Sequence, residues 1–253
     1  MITAINEIAR FESIFSKLAV TEFNATLPIS IKVLKKMDLN KYVLQIGKKE
    51  VETKSLIPLK EGKSYWGDFK TSKGDVLQIS NLLEKPSFEN KKPFLKNEFF
   101  LGLDDIKNIF SKEKPKAAFK EHILHQMSST SSKEEFVQYA NMLFALENGV
   151  FFIPIEDEKR RYFFQFKNKQ KKGRVKKEFT TQFYASFENL GPIKGEVKLI
   201  GEAKKLTLYA YFEKSVSFLK KEIKNLEMDG EVFCSKNIAP LFDSSDRLLD
   251  IKG

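Results

Sequence analysis

The chain has few of the residues on which most catalytic, metal and redox sites depend. Its 253 residues include one cysteine, two histidines and one tryptophan. A single cysteine, Cys234, excludes a disulfide framework and a multi-cysteine zinc site, and it is typical of a protein in a reducing compartment. No glycine-rich phosphate loop or nucleophile motif occurs in the sequence. We therefore expect a protein that is not an enzyme, with no catalytic residues, cofactor, metal or small-molecule substrate.

Long apolar runs are also missing. No stretch reaches the roughly 20 apolar residues that a membrane-spanning helix needs. The N-terminal segment Met1–Leu18 contains charged side chains at Glu7, Arg10 and Glu12, which a signal-peptide core would not have. We therefore predict no membrane span, and a cytoplasmic location.

Basic residues outnumber acidic ones by 44 to 34, which gives a net charge of +10. Of the basic residues, 39 are lysine and only five are arginine. Arginine is the side chain that proteins favour for clamping phosphates and reading bases. The lysine excess, together with 24 phenylalanines, is typical of codon bias in an AT-rich genome. A non-specific attraction to an acidic partner is the other interpretation that stays open.

The first third of the chain changes from a helical to a strand pattern. Residues 1–21 predict an N-terminal amphipathic helix, because apolar residues recur at three- and four-residue spacing between Ile5 and Leu18. Residues 22–83 alternate apolar and polar side chains, with turn signals at Gly47, Gly62 and Gly74. Five short strands in this length predict a small closed antiparallel β-barrel.

The middle of the chain, residues 84–149, predicts a linker and a helical connector. Residues 82–97 are polar, and apolar residues then recur at helical spacing in three segments. His122 and His125 lie three residues apart on the second predicted helix, a spacing that metal sites use. No third ligand accompanies them, so we interpret both as solvated helix residues.

The remaining residues predict a sheet with one helix. Residues 150–235 contain five strand patterns, then a helical pattern over Ser215–Asp229 with Gly230 as its C-cap. Residues 236–253 are predicted to be a polar tail. The predicted fold class is therefore α+β: a small N-terminal antiparallel β-barrel, a helical connector, and a C-terminal antiparallel sheet with one packed helix.

A basic cluster occupies Lys159–Lys177, where ten of nineteen residues are lysine or arginine and none is acidic. We expect a hairpin whose aromatic residues enter the core while its lysine-rich tip stands in water. One interpretation is a solvated tip that its lysines protect from edge aggregation. The other is a docking patch for an acidic protein surface or for nucleic acid. The candidate partner-binding residues of this patch are Arg160, Arg161, Lys171, Lys172 and Arg174.

The stretch from Phe179 to Gly230 carries a more specific pattern. A strand is followed by the turn Leu190-Gly191, two strands of alternating apolar residues, and a helix that ends near a glycine. In this pattern the chain resembles the C-terminal domain of the flagellar hook-length control family, as a short relative that lacks the ruler region. The upstream segment Lys32–Gln78 is similar to the small barrel of shorter relatives of that family.

The resemblance implies a non-enzymatic flagellar protein of the type III export apparatus. Its C-terminal domain would contact the cytoplasmic domain of the export switch component, and no cofactor is implied. Leu190 and Gly191 join the candidate partner-binding residues on this ground. The alternative function is nucleic-acid binding by the barrel and the lysine-rich hairpin.

Overall fold

The structure, a computed structural model, describes most of the chain from residue 27 onward. The described ranges are 27–71, 77–157, 160–172, 177–201, 203–226 and 229–243. The helix predicted for residues 1–21 lies outside the described residues, as does Arg174. Within these ranges the chain forms two β-sheets and five α-helices. None of the helices described is long and apolar enough to cross a membrane.

The first sheet has five antiparallel strands in the order β3-β2-β1-β4-β5. The strands are β1 (Ile29–Asp38), β2 (Lys41–Ile46), β3 (Lys49–Lys54), β4 (Ser64–Thr71) and β5 (Leu77–Glu84). The alternation in the sequence places one set of side chains in a small core, as period-two patterns do. That core consists of Ile31, Val33, Tyr42, Leu44, Leu59 and Tyr65.

The closed barrel predicted for residues 22–83 is wrong, because this sheet is open. β3 and β5 lie at opposite edges and do not pair with each other. β3 reads Lys-Glu-Val-Glu-Thr-Lys and is almost entirely exposed. An edge strand of charged residues resists pairing with a further strand, which is how many open sheets avoid aggregation. The alternation predicts strands equally well in either arrangement, so it could not distinguish them.

The middle of the chain forms four helices that belong to the larger core. They are α1 (Ser87–Lys91), α2 (Leu103–Phe110), α3 (Pro115–Ser129) and α4 (Lys133–Glu147). The three predicted helical segments correspond to α2, α3 and α4. Ser132 caps α4, since its hydroxyl accepts a hydrogen bond from the Glu135 N–H at 3.3 Å. The stretch predicted as a polar linker contributes Phe88 and Leu95 to the core.

The second sheet has six strands in the order β11-β10-β9-β8-β7-β6. They are β6 (Phe151–Asp157), β7 (Arg160–Lys172), β8 (Lys177–Phe187), β9 (Gly191–Ile200), β10 (Ala203–Ala210) and β11 (Asp229–Cys234). Strands β6 to β10 form an antiparallel meander. Helix α5 (Glu213–Glu222) then crosses over to β11, which runs parallel to β10.

The predicted antiparallel sheet with one packed helix is therefore wrong in two respects. The parallel strand β11 makes the sheet mixed. Helices α2 and α3 also pack on it, since the Phe110 and Phe119 rings lie 5.3 and 5.8 Å from the ring of Phe151 on β6. The connector and the C-terminal sheet share one continuous core.

Gly230 is not the helix C-cap that the sequence predicts. It lies in β11 opposite Leu206. A Cβ atom at this position would lie 2.3 Å from Cδ1 of Ile223, in the 3-10 turn that follows α5. The absent side chain therefore allows the end of the helix to approach the strand closely.

The first part of strand β7 is covered on both faces. Tyr162–Phe166 are all buried. Phe166 packs against Phe110 of α2 on one face, while Phe163 packs against Phe88 of α1 on the other. Phe242 of the C-terminal segment also covers the second face. Its backbone N–H and carbonyl form two hydrogen bonds with the side chain of Gln165.

A buried polar junction joins the two sheets. Trp66 of β4 donates a hydrogen bond from its indole N–H to the carbonyl of Phe187 in β8 at 2.9 Å. The ammonium of Lys85 lies 5.0 Å from the centre of the same indole ring and donates to the hydroxyl of Ser30. Burial lowers the pKa of Lys85, although the carboxylate of Glu89 opposes this effect.

Candidate interaction surface of the six-stranded sheet

Leu190 and Gly191 lie at the hairpin turn between β8 and β9. Leu190 is fully buried, and its carbonyl accepts a hydrogen bond from the Ser215 hydroxyl of α5 at 2.8 Å. Gly191 has a φ of 75°. A Cβ there would lie 2.6 Å from the ring of Phe212, the residue before α5. These two candidate residues hold the turn against the start of α5 and present no side chain to a partner.

Arg161, near the start of β7, connects this strand to β6 and to the segment before α2. Its Nε donates to Glu156 at 2.9 Å, and its guanidinium stacks 4.8 Å from the centre of the Phe100 ring. A further hydrogen bond joins it to the side chain of Asn97. Arg160 precedes it, opposite Asp157 in the β6–β7 ladder. This part of the predicted basic cluster therefore attaches the 3-10 helix Asn97–Phe99, which precedes α2, to the sheet.

The other basic candidates lie at the opposite end of β7. Lys171 and Lys172 close the strand, ten and more residues beyond Arg161. At about 3.3 Å per residue this separation is roughly 33 Å. Arg174 lies outside the described residues. The four candidate basic residues that the structure describes are therefore divided between the two ends of β7.

The solvent-facing side of β10 and β11 is a surface that sequence reasoning did not single out. Leu206, Leu208 and Ala210 point toward α5 and are buried. Because side chains alternate along a strand, Tyr209 points to the other face, and the β10–β11 register places Phe233 beside it. The sequence could not pair Phe233 with Tyr209, because β11 was not predicted.

Tyr209 and Phe233 form an exposed aromatic pair. Their rings are stacked with centroids 5.8 Å apart and planes inclined by 30°. Tyr209 is 38% exposed and Phe233 is 45% exposed. Large aromatic side chains bury the most area when a partner covers them, and they are enriched where proteins bind one another. Among the described residues, these two rings form an exposed contact between aromatic side chains on the surface of the six-stranded sheet.

Charged groups surround the aromatic pair. Lys205 of β10 forms an ion pair with Glu231 of β11 at 2.8 Å. At the end of the strands Lys236 donates to the Tyr211 carbonyl at 2.8 Å, and its ammonium lies 4.2 Å from the centre of the Tyr211 ring. An apolar centre with a polar and charged rim is the usual anatomy of a protein interface.

Glu196 on β9 belongs to the same face. Although burial alone would raise it, hydrogen bonds from Lys198 and Gln182 lower the pKa of Glu196 below its ordinary value. The Lys198 ammonium lies 2.9 Å from one carboxylate oxygen, and the Gln182 amide donates to the other at 3.1 Å. This carboxylate stays charged at neutral pH and adds a fixed negative group to the rim.

β11 is an edge strand on which a partner strand could pair. On one side it pairs with β10, and no other strand of the described residues pairs with its outer side. The Ser235 N–H donates to the Ala210 carbonyl at 3.0 Å, so the alternate backbone groups of Val232 and Cys234 point away from β10. Outward backbone donors and acceptors beside an exposed aromatic pair are suited to an added strand.

The two histidines remain apart from this surface. His122 and His125 lie on α3, and burial lowers the pKa of His122. In the part of the chain that the structure describes, no group of three or more histidine, cysteine, aspartate or glutamate side chains is placed to hold a metal ion.

Comparisons of this chain with protein-family models, curated proteins and solved structures find no match. The resemblance to the hook-length control family therefore stays a prediction from the sequence pattern, and the function rests on the geometry of the sheet.

Proposed function

We propose that this protein is a non-enzymatic interaction protein that binds a protein partner through the solvent-facing side of β10 and β11. The single observation that carries the proposal is the stacked and exposed pair formed by Tyr209 of β10 and Phe233 of the edge strand β11. Leaving two large aromatic rings in water contributes nothing to the core on the other face of the sheet. Covering them with a partner removes apolar area from water, which favours association.

The partner that we propose is the cytoplasmic domain of the flagellar type III export switch component. This proposal rests on the resemblance to the hook-length control family. The order of elements from β8 through Leu190-Gly191, β9 and β10 to α5 supports it, because the quoted family pattern has the same order. In this proposal the Leu190-Gly191 turn positions α5, while Tyr209 and Phe233 make the contact.

A titration of the full chain with the purified switch domain tests this proposal. Tyr209→Ser and Phe233→Ser should each weaken binding by about fivefold or more, because removing an aromatic anchor of an interface commonly costs more than about 1 kcal/mol. Phe136→Ser is the matched control, because Phe136 is 49% exposed but lies on α4. Equal affinity of all four proteins would refute the aromatic contact, and no binding by the natural chain would refute the partner.

Nucleic acid is the competing ligand, and a binding test with the same protein preparation should exclude it. Of the candidate basic residues that the structure describes, Arg160 and Arg161 lie at one end of β7 and Lys171 and Lys172 at the other, which disfavours a single compact phosphate-binding patch. Filter binding with a mixed-sequence oligonucleotide should show weak binding. A tight complex whose affinity falls steeply with salt would instead favour the nucleic-acid alternative.

A further inference from the structure

One end of the first sheet presents four exposed aliphatic side chains, one at the end of β1 and three in two adjacent loops. They are Met37, Leu39, Leu56 and Ile57, with exposed fractions of 52%, 80%, 103% and 49%. The Ser55 N–H donates to the Asn40 carbonyl at 2.9 Å, so the loop after β3 lies directly beside the β1–β2 turn. We call these four residues the aliphatic tip.

Both loops of the aliphatic tip are locally ordered. The Ser55 hydroxyl donates to the Ile57 carbonyl at 2.6 Å and accepts from the Ile57 N–H, which holds Leu56 at the apex of a turn. The Leu39 N–H donates to the Asp38 carboxylate at 2.8 Å. Turn positions are usually polar or glycine, because nothing in the fold covers them. Leucine at both apices therefore has no explanation in the stability of this sheet.

Exposed lysines stand directly behind the aliphatic tip. Lys41 and Lys54 lie opposite each other in the β2–β3 ladder, and like charges in this position destabilise a sheet. Lys35 and Lys36 at the end of β1 are also exposed. Two nearby carboxylates, Asp38 and Glu61, accept hydrogen bonds from backbone N–H groups. The exposed Glu52 of β3 lies in the same ladder row as Lys35, so the four lysines outnumber three nearby carboxylates.

We propose that the aliphatic tip and its lysines form a peripheral binding site for an anionic lipid bilayer. The four aliphatic side chains would enter the boundary between headgroups and acyl chains, where apolar burial stabilises attachment. Lysine stems are long enough to keep the ammonium groups at the level of the lipid phosphates. Each lysine near such a surface adds electrostatic attraction.

The composition of the aliphatic tip favours a bilayer over a protein partner. Interfaces between proteins are enriched in tyrosine, tryptophan and arginine and are depleted of lysine. The aliphatic tip has no aromatic residue or arginine, and Leu39 and Leu56 project almost entirely into water. A bilayer adapts to projecting side chains, whereas a protein partner would need a matching pocket.

Co-sedimentation of the full chain with lipid vesicles tests the site. We expect binding to vesicles of phosphatidylcholine with phosphatidylserine, and much weaker binding to phosphatidylcholine alone. The double variant Leu39→Ser with Leu56→Ser should bind at least about tenfold more weakly. Lys41→Glu with Lys54→Glu should lose roughly fivefold or more per lysine. Leu124→Ser with Phe136→Ser is the matched control and should bind like the natural chain, because it removes exposed apolar side chains from α3 and α4.

The outcomes are separate from those of the proposed function. The serine variants alter only exposed side chains, so an unchanged thermal transition should accompany the loss of vesicle binding. They should also keep their affinity for the switch domain. No binding of the natural chain to anionic vesicles would overturn the proposal. Undiminished binding by the Leu39 and Leu56 double variant would also overturn it, because the contact would then lie elsewhere in the chain, including the predicted N-terminal helix.

Discussion

Gly191 connects the sequence pattern to the fold at the scale of a single residue. Its φ of 75° lies in the left-handed region, and the Phe212 ring occupies the space that a side chain would need. Both conditions favour glycine for separate reasons. The sequence predicted the turn from the Leu190-Gly191 pair, but the contact with Phe212 depends on the position of α5 and could not be read from spacing.

Replacing Gly191 with alanine should destabilise the protein by about 3 kcal/mol. Left-handed backbone contributes roughly 1 kcal/mol and the collision with Phe212 about 2 kcal/mol. Gly201→Ala is the matched control, since Gly201 has a φ of 65° but no atom near its missing Cβ. We expect it to cost about 1 kcal/mol. Urea unfolding measures both, and equal losses would contradict the role of the Phe212 contact.

Lys85 should make stability depend on pH in the alkaline range. Burial lowers its pKa from the ordinary 10.5, so between the two values the unfolded chain binds more protons than the folded chain. Lys85 therefore makes the free energy of unfolding of the natural chain increase as the pH rises through that window. The Lys85→Met variant does not show this increase, so its stability relative to the natural chain should fall with rising pH.

Lys60 supplies the opposite control for this pH dependence. A hydrogen bond to Glu84 raises the pKa of Lys60, so its contribution is lost as the pH rises through the raised value. The stability of Lys60→Met relative to the natural chain should therefore rise with pH. Urea unfolding at several alkaline pH values measures both differences. Parallel slopes in the two variants would contradict the assignment to burial and ion pairing.

At the scale of elements, periodicity identified α2, α3 and α4 and most strands, because each has an apolar stripe of the period its geometry requires. β11 was missed for a physical reason. In Asp229–Cys234 only Val232 is buried, so an edge strand with one core residue has almost no alternation. Phe233 could therefore not be recognised from the sequence as a site residue, although it is central to the proposed surface.

The Ser215 hydroxyl fastens α5 to the β8–β9 turn, and its removal should cost about 1–2 kcal/mol. Ser215 is fully buried, and Ser215→Ala would leave the Leu190 carbonyl without this donor. Ser217→Ala is the control, because that hydroxyl bonds the Glu213 carbonyl on the exposed side of the same helix. Thermal or urea unfolding should show little change for the control, and equal losses in both variants would contradict the account.

At the scale of the whole molecule, the sequence separated two regions of strands and one of helices, but not the way they join. Open and closed sheets share the same alternation, so the barrel was predicted where β3 leaves an open charged edge. The junction between the sheets depends on Trp66, Lys85 and Phe187, which are far apart in sequence. Such contacts leave no periodic signal.

The two sheets should unfold together because Trp66 bonds both. Trp66 is the only tryptophan of the chain, so its fluorescence reports this junction selectively. We expect the urea transition followed by tryptophan fluorescence to coincide with the transition followed by far-ultraviolet circular dichroism. A fluorescence transition at clearly lower urea would mean that the junction opens before the sheets unfold.

Hydrogen exchange of the full chain with and without the switch domain tests the central claim most directly. The claim is that the partner covers the solvent-facing side of β10 and the edge strand β11. The account predicts slower amide exchange in Asp229–Cys234, and chiefly at Val232 and Cys234, whose N–H groups point away from β10. Unchanged exchange in β11, with protection confined to α3 and α4 or to the first sheet, would contradict it.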